Sequence, residues 1–391
     1  MPEPLSTPVA QPPLRVLMLL ESLFPGLGGA EIQVGTLSLA LQARGHRVCV
    51  LMPRLEPDQK PGRDDWRGVE LYRIDYPRLR LLGGLLLQLK MILWLLRHRR
   101  AYDAVHVHVA HRMGAVATPL CRLLGKPVVL KFSGWWEFKR GSLRPQGLMP
   151  KLLRLGLKRA SAVQAISRRI GDDVRAKGFD PARVHWVANA VDPSRFLAFE
   201  PARRAGARPR RAVFVGRLVP EKGLDTLFEA WARCFAGCSE WRLRLIGEGA
   251  DEAALRARAE ALGIAGQIEW IGPSRAIEAH LGESDVGLLP SRHEGLSNTL
   301  LEYMSAALPV VGTRISGSED FILPGQTGWL CEPDDVDGLA TALSAMDATD
   351  DAARAQLGAA ARQRVLQHAA LDAVVDRLLL LYRGQRPPVE A

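Results

Sequence analysis

The chain has 391 residues, of which 47% are hydrophobic and 24% are charged, a balance typical of a globular protein of two domains. Its net charge of +10 favours acidic partners such as phosphates or anionic lipid, but the basic residues are dispersed and carry no nucleic-acid-binding motif. We therefore expect no nucleic-acid partner. Five scattered cysteines argue against a disulfide framework and fit a reducing cytosol.

The first 13 residues are rich in proline and lack the basic start of a signal peptide, so we expect a disordered tail. The most apolar window, residues 81–96, is short for a membrane span and is interrupted by Gly83, Gly84, Gln88 and Lys90. Arginines flank it on both sides. It is either an ordinary domain helix or a helix that lies on an anionic membrane surface.

Apolar strand-like runs alternate with helical runs along most of the chain, which predicts doubly wound parallel sheets and an α/β fold. The pattern predicts one domain over residues 14–192, a polar and basic linker over 193–210, and a second domain over 211–365. Residues 366–391 are predicted to form a C-terminal helix that packs back toward the first domain. Ligands of such folds bind at the carboxyl ends of the strands.

Two motifs of the first domain could serve a ligand. Gly28 and Gly29 follow the first strand and open the first helix, where glycines let a phosphate or sugar approach the backbone; the alternative is a tight turn. His106 and His108 share one face of a later strand, and His108 lies at its carboxyl end. They are either hydrogen-bonded structural residues or, in the case of His108, part of an interdomain cleft.

In the second domain, Arg217 leaves a strand, and Lys222 with Gly223 is expected to start the next helix. Two cations there suit a pyrophosphate, although solvated loop charges would look the same. Further on, Glu294 and Glu302 flank a predicted helix start in the stretch SRHEGLSNTLLEYMSAALPVV. Thr299 and Glu302 fit a capping box, and the free N–H groups of the first turn form an anion site between the two carboxylates.

A possible metal motif is Asp335-Val-Asp337, but these acids suit a helix N-terminus, with Asp334 or Asp335 as its N-cap. We expect no metal and no cofactor.

Taken together, the stretches VGRLVPEKG, LIGEG, LPSRHEGLSNTLLEYMSAALPVVGT and GQTGWL resemble, in order and spacing, the donor-binding domain of family-4 retaining glycosyltransferases. The likeness spans roughly residues 15–346 and is looser in the first domain. It implies the GT-B fold, in which two Rossmann-like domains face each other across a cleft. The first domain would be the acceptor domain, and the second would bind a UDP-, GDP- or ADP-sugar.

The resemblance also implies roles for individual residues. Arg217 and Lys222 would hold the donor diphosphate, Glu294 the hydroxyls of the donor sugar, and Glu302 those of the ribose. His108 corresponds to a family histidine at the transferred sugar or acceptor. The remaining donor contacts would come from backbone at Gly28, Gly29, Leu296, Ser297 and Asn298.

The chain departs from the family at two places. Ala307-Leu308 precedes Pro309 where a glycine commonly ends the short helix, and Ser133-Gly134 stands where many relatives carry a histidine. The loop that follows, with Trp135, Trp136 and Lys139, is either a buried aromatic loop or an acceptor surface that stacks on a sugar or touches a lipid head group.

From these features we expect a metal-independent glycosyltransferase that moves a hexose to a glycan or lipid-linked acceptor of the cell-surface polysaccharide type. The resemblance implies that it retains the anomeric configuration. It would be cytoplasmic, at the inner face of the membrane if the apolar helix binds anionic lipid. The alternatives are a GT-B nucleotide-sugar epimerase and a non-catalytic nucleotide-sugar-binding protein. Acceptor-dependent release of nucleoside diphosphate separates the transferase from both.

Overall fold

The structure is a computed structural model, and it describes residues 12–26, 28–79, 82–134, 137, 147–198 and 209–388. Most of the predicted tail (residues 1–13) and of the predicted linker (residues 193–210) lies outside the described residues. The acceptor-side residues Trp135, Trp136 and Lys139 lie outside them as well.

Within the described part of the chain, the first sheet has eight strands. In chain order these are β1 to β8, namely Arg15–Leu19, Arg47–Pro53, Gly62–Trp66, Val69–Ile74, Ala104–Val107, Val128–Phe132, Ala162–Ala165 and Val184–Trp186. The spatial order is β3-β4-β2-β1-β5-β6-β7-β8, and β1 pairs in parallel with both β2 and β5. Strand β3 runs antiparallel to β4. The sequence pattern does not predict β3, because GRDDW contains no apolar run.

The helices of this half of the chain are α1 to α6: Gly29–Ala43, Leu82–Arg97, Arg112–Leu123, Leu148–Leu157, Arg168–Ala176 and Ser194–Leu197. Helix α2 packs against α3. Helix α4 also packs against α3, because a Cβ added at Gly156 would lie only 2.2 Å from the carbonyl oxygen of Ala115. Among the described residues, no helix combines the length and the apolar composition that a membrane crossing requires.

The second sheet has six strands in the described residues: β9 to β14, namely Arg210–Val215, Trp241–Ile246, Ile268–Gly272, Val286–Leu289, Val310–Thr313 and Gly328–Cys331. All of its pairs are parallel, in the order β11-β10-β9-β12-β13-β14. This is the order of a doubly wound nucleotide-binding sheet, in which the chain starts in the middle and builds outward in both directions.

The helices of the second half are α7 to α14: Leu224–Phe235, Glu252–Ala261, Ile277–Gly282, Asn298–Ser305, Ser318–Phe321, Val336–Ala348, Asp351–His368 and Leu371–Tyr382. Apolar residues of α7 and α12 cover one face of the sheet. Phe228 and Trp231 of α7 belong to the same buried hydrophobic cluster as Trp241 of β10. Burial of this apolar area, at about 25 cal/mol per Å², is the main force that holds the layers together.

The chain folds into two compact units. The first comprises the described residues up to Leu130, together with Leu152–Ala162 and those from Leu379 onward. The second comprises Lys131–Lys151 and Val163–Leu378, as far as they are described. The residues that follow β7 therefore belong to the same unit as the second sheet. One contact that joins them is the hydrogen bond between the hydroxyls of Ser167 and Ser316, at 2.7 Å. The domain boundaries that the sequence suggests remain predictions.

Within the first unit, the hydroxyl of Tyr382 at the end of α14 lies 2.7 Å from Nδ1 of His106. Both side chains are buried, so this hydrogen bond anchors the end of α14 beside β5. All five cysteines of the chain are free thiols.

Candidate active site

The strand order of the second sheet reverses between β9 and β12, which are neighbours in space although β10 and β11 separate them in the chain. In open parallel sheets, ligands bind outside the carboxyl ends of the strands at such a reversal. Here the loops after β9 and β12 line a cavity of about 730 Å³, a volume usual for small-ligand sites. Its charged lining includes Glu137, Arg217, Lys222, Arg292 and Glu294.

The two predicted cations, Arg217 and Lys222, both lie in the loop after β9. Lys222 ends a short 3-10 turn, Pro220–Lys222, and α7 begins only after Gly223. The expected helix start at Lys222 is therefore wrong by two residues. Gly223 has a φ of +65°, and a Cβ there would lie 2.2 Å from the carbonyl oxygen of Pro290. Glycine is needed at this position because the loop that carries Lys222 packs directly on the loop after β12.

Glu294 lies in the loop after β12 and faces the lysine. The Lys222 ammonium donates a hydrogen bond to Oε1 of Glu294, and both side chains are 18% exposed. The hydroxyl of Ser291 donates to the same oxygen at 3.2 Å. Among the described residues no bond reaches Oε2, so one carboxylate oxygen is available to accept a hydrogen bond from a ligand.

Arg292 ties the two loops together, a role that the sequence does not suggest. Its guanidinium donates to Asp225 at 2.7 Å and to Asp334 at 2.6 Å, and its backbone N–H donates to the carbonyl oxygen of Glu221 at 2.9 Å. The hydrogen bond to Asp225 raises the pKa of Arg292. These bonds fix the segment that carries Glu294 relative to the turn that carries Lys222.

The segment around Gly295 is packed backbone against backbone. A Cβ added at Gly295 would lie 1.7 Å from the carbonyl oxygen of Ser133, in the loop after β6. At Gly317, whose φ is +80°, a Cβ would lie 2.4 Å from the carbonyl oxygen of Gly295. No side chain fits between these backbone segments. The backbone contacts of Gly295 therefore fix the position of its neighbour, Glu294.

Helix α10 begins at Asn298, with Ser297 as an N-cap whose side chain makes no capping bond. The predicted capping box is wrong, because Thr299 already lies inside the first turn of the helix. The helix start is held instead by Asn189: its side-chain amide donates to the carbonyl oxygen of Leu296 at 3.1 Å and to Oδ1 of Asn298 at 3.0 Å. Leu296 and Ser297 are buried.

Leu300 and Met304 of α10 are buried, as are Ala307 and Leu308 just after the helix. Ala307 follows the helix with a φ of +50°. An alanine thus adopts the left-handed conformation that glycine usually supplies after a helix.

Glu302 lies one turn into α10 and is half-buried. Burial raises the pKa of its carboxyl to about 7; nearby Arg195 lowers it and Glu278 raises it. Arg195 and Glu278 form an ion pair with each other at 2.8 Å, and Glu302 lies beside this pair. Glu302 is not among the described residues that line the cavity.

Three of the expected site residues belong to the first unit. Gly28 is the N-cap of α1 and Gly29 its first residue, at the end of the loop that follows β1. His108 follows β5, and its backbone N–H bonds to the carbonyl oxygen of Leu19 at 2.9 Å. Because β1 and β5 are the neighbours at which the order of the first sheet reverses, these residues lie at its switch point.

His108 is fully buried, and its ring centroid lies 4.1 Å from that of His106. The two histidines therefore share one face of β5, as predicted.

Across the residues that the structure describes, no cluster of three or more His, Cys, Asp or Glu side chains is arranged to hold a metal ion. Asp335 is the N-cap of α12 and accepts a hydrogen bond from the N–H of Gly338 at 2.8 Å. Its predicted role as a helix cap is confirmed.

Two family models match the chain: Glycosyltransferase Family 4 over residues 27–195 and Glycosyl transferases group 1 over residues 209–347. The 2-deoxystreptamine N-acetyl-D-glucosaminyltransferase of Streptomyces fradiae is 30% identical over 85% of each chain. The chain belongs to the family-4 glycosyltransferases. This glycosyltransferase is also 32% identical to the lipopolysaccharide core biosynthesis glycosyltransferase LpsE of Rhizobium meliloti, over 51% of its own length and 57% of that relative.

The fold of the glycosyltransferase matches that of Anabaena HepE, solved in complex with UDP and glucose, with a TM-score of 0.72. The match covers 94% of this chain and 98% of HepE at 18% sequence identity. Together with the two parallel sheets, this likeness confirms the predicted GT-B fold.

The contact at Gly295 yields the first prediction. Gly295→Ala should lower the free energy of unfolding by about 1–3 kcal/mol, because its Cβ must displace the Ser133 backbone. Gly266→Ala is the matched control, since a Cβ there has no neighbour within 4 Å. Urea unfolding of both variants measures the difference. Equal stabilities would show that the Ser133–Gly295 packing is not rigid.

The raised pKa of Glu302 predicts a pH dependence. The folded protein binds this proton more tightly than the unfolded chain, so the contribution of Glu302 to stability is fully present below pH 4.5 and is lost as pH rises toward 7. The free energy of unfolding of the wild type, relative to Glu302→Gln, should therefore fall between pH 5 and pH 8. The exposed helix residue Glu260, changed to Gln, provides the control. A flat difference for Glu302→Gln would contradict the raised pKa.

Proposed function

We propose that this glycosyltransferase moves a hexose, with retention of anomeric configuration, from a UDP-, GDP- or ADP-sugar to a glycan or lipid-linked glycan acceptor. The observation that carries the proposal is the shared cavity of Arg217, Lys222 and Glu294 at the switch point of the second sheet. A guanidinium and an ammonium suit a diphosphate, and a carboxylate oxygen suits a sugar hydroxyl. The UDP and glucose bound to HepE are a donor nucleotide and a sugar of this class.

The chemistry follows from where charge develops. Breaking the bond between the anomeric carbon and the phosphate oxygen leaves negative charge on the diphosphate. Arg217 and Lys222 stabilise that charge electrostatically, in place of a divalent metal ion. The ion pair between Lys222 and Glu294 keeps the ammonium at the cavity wall, with Oε2 of Glu294 left for a donor-sugar hydroxyl.

The remaining donor contacts belong to the same proposal. Glu302 accepts the hydroxyls of the ribose, and the backbone of residues 296–298 at the start of α10 binds phosphate. Gly28 and Gly29 are the proposed backbone contacts of the diphosphate, and His108 serves the transferred sugar or the acceptor. Trp135, Trp136 and Lys139 are the proposed acceptor contacts.

The catalytic roles are tested by Arg217→Ala and Glu294→Ala. Each variant should lower kcat by roughly 10²–10³, the usual cost of removing one electrostatic donor or positioning group from an active site. A thermal-shift screen against UDP-, GDP- and ADP-sugars first selects the donor. Acceptor-dependent release of nucleoside diphosphate then measures turnover and separates transfer from epimerisation.

Arg233→Ala is the matched control, because Arg233 forms an exposed ion pair with Asp337 in the same compact unit. It should retain full activity. If Arg217→Ala and Glu294→Ala also retain turnover, the assigned roles are wrong.

We further propose that the enzyme works at the cytosolic face of a membrane that contains anionic lipid. The exposed leucines of α2 recur every three or four residues and so form one stripe along the helix. They are Leu82, Leu85, Leu89, Leu93 and Leu96, between 36 and 67% exposed. Helix α4, which packs on α3 as α2 does, exposes a second group: Leu148, Met149, Leu152 and Leu155.

An apolar helix stripe flanked by lysine and arginine is typical of helices that lie in the interface of an anionic bilayer. Lys90 and Arg97 supply positive charge on α2 itself. The similarity to LpsE, a lipopolysaccharide core enzyme, is compatible with an acceptor held at a membrane.

Flotation with liposomes tests this proposal. The wild type should float with vesicles that contain phosphatidylglycerol, and a triple variant with Leu85, Leu89 and Leu93 changed to Gln should remain in the unbound fraction. Leu366→Gln, which removes a leucine that is 41% exposed in the other unit, is the control and should float. Equal flotation of the triple variant and the wild type would exclude α2 as the membrane contact.

A further inference from the structure

A buried carboxylate lies on the wall of the cavity and has no part in the proposed mechanism. Glu137 lines the cavity and is only 2% exposed. A buried acid is costly unless hydrogen bonds compensate it, so its hydrogen-bond partners indicate its role.

Glu137 folds back onto the start of its own loop. Its Oε1 accepts hydrogen bonds from the backbone N–H of Ser133 at 3.0 Å and from the Ser133 hydroxyl at 2.7 Å. The backbone N–H of Glu137 donates to the carbonyl oxygen of Gly134 at 3.2 Å. The carboxylate thus fixes the orientation of the Ser133 peptide group.

Ser133 and Gly134 contact the loop that carries Glu294. The carbonyl oxygen of Ser133 packs against Gly295. Gly134, whose φ is +146°, packs against Gly295 as well: a Cβ added at Gly134 would lie 2.9 Å from the α-carbon of Gly295. Gly295 immediately follows Glu294. A shift of the Ser133 peptide would therefore be transmitted through backbone contact to the carboxylate expected to hold the donor sugar.

We propose that Glu137 is a positioning residue for Glu294, because its carboxylate holds the Ser133 backbone that packs against Gly295. The proposal rests on the proposed function, because it concerns the selectivity of that site for a sugar-bearing nucleotide. It also gives a role to the loop in which Ser133-Gly134 stands where many relatives carry a histidine. Glu137 would act through the backbone of Ser133 and Gly295, and it lines the same cavity as Glu294.

Calorimetric titration with a nucleoside diphosphate and with the corresponding nucleotide sugar tests the proposal. Glu294 is expected to touch the sugar and not the diphosphate, so Glu137→Gln should leave the Kd of the sugar-free nucleotide unchanged. The Kd of the nucleotide sugar should rise by about tenfold, the usual effect of one lost hydrogen bond. Asp320→Asn is the matched control: Asp320 is also buried and accepts a backbone hydrogen bond, from Arg168 at 2.8 Å, but does not line the cavity.

A double-mutant cycle separates positioning from general support of the fold. In the Glu294→Ala background, Glu137→Gln should cause no further loss of nucleotide-sugar affinity, because its effect passes through Glu294. An additive loss would overturn the proposal, as would an unchanged ratio of the two Kd values in folded Glu137→Gln. If the wild type binds none of UDP, GDP or ADP, the proposed function itself fails, and the positioning role fails with it.

Ser133→Ala offers a second route should Glu137→Gln fail to fold. It removes the hydroxyl that donates to Oε1 of Glu137 at 2.7 Å, so the carboxylate should hold the Ser133 backbone less firmly. The same rise in the Kd of the nucleotide sugar, with the Kd of the nucleotide unchanged, supports the proposal. Wild-type values for both ligands would overturn it.

Discussion

The structure depends on a contact between two stretches of backbone that no side chain separates. Gly295 lies so close to the carbonyl oxygen of Ser133 that a single methyl group would not fit, and Gly317 closes on it from the other side. Charged side chains on long loops are normally mobile and lose entropy when they are ordered. Here the loops are already ordered when the protein folds, because the glycine contacts and the guanidinium of Arg292 hold them before any ligand binds. A preorganised cavity is what electrostatic catalysis requires.

The topology of the sheet explains why these loops meet. Strands β9 and β12 are neighbours in space, but their connections leave toward opposite sides of the sheet, so a crevice opens between the loops that follow them. Arg217 and Lys222 come from the first loop and Glu294 from the second, and each loop contributes one partner of the Lys222–Glu294 ion pair. The same reversal occurs in the first sheet between β1 and β5, where Gly28, Gly29 and His108 lie.

The sequence predicts the features that depend on local pattern. Apolar runs predict the buried strands, and the family motifs predict which charged residues meet at the cavity, since parallel strands carry their loops to one edge. Features that depend on contacts between segments distant in the chain cannot be predicted from the sequence. Nothing near Glu137 or Asn189 indicates that they bond to Ser133 and to the start of α10. The capping box at Thr299 is a reasonable local prediction, but Asn189 holds that helix start from outside. Strand β3 has no apolar run, because it is an edge strand paired only with β4.

The central claim is that the cavity at the second switch point binds the diphosphate of a nucleotide sugar. A crystal structure with the nucleoside diphosphate that stabilises the protein most is its most direct test. The account predicts phosphate oxygens within hydrogen-bonding distance of the Arg217 guanidinium and the Lys222 ammonium, with the ribose directed toward Glu302. A diphosphate bound elsewhere, with Arg217 and Lys222 directed away from it, would contradict the account.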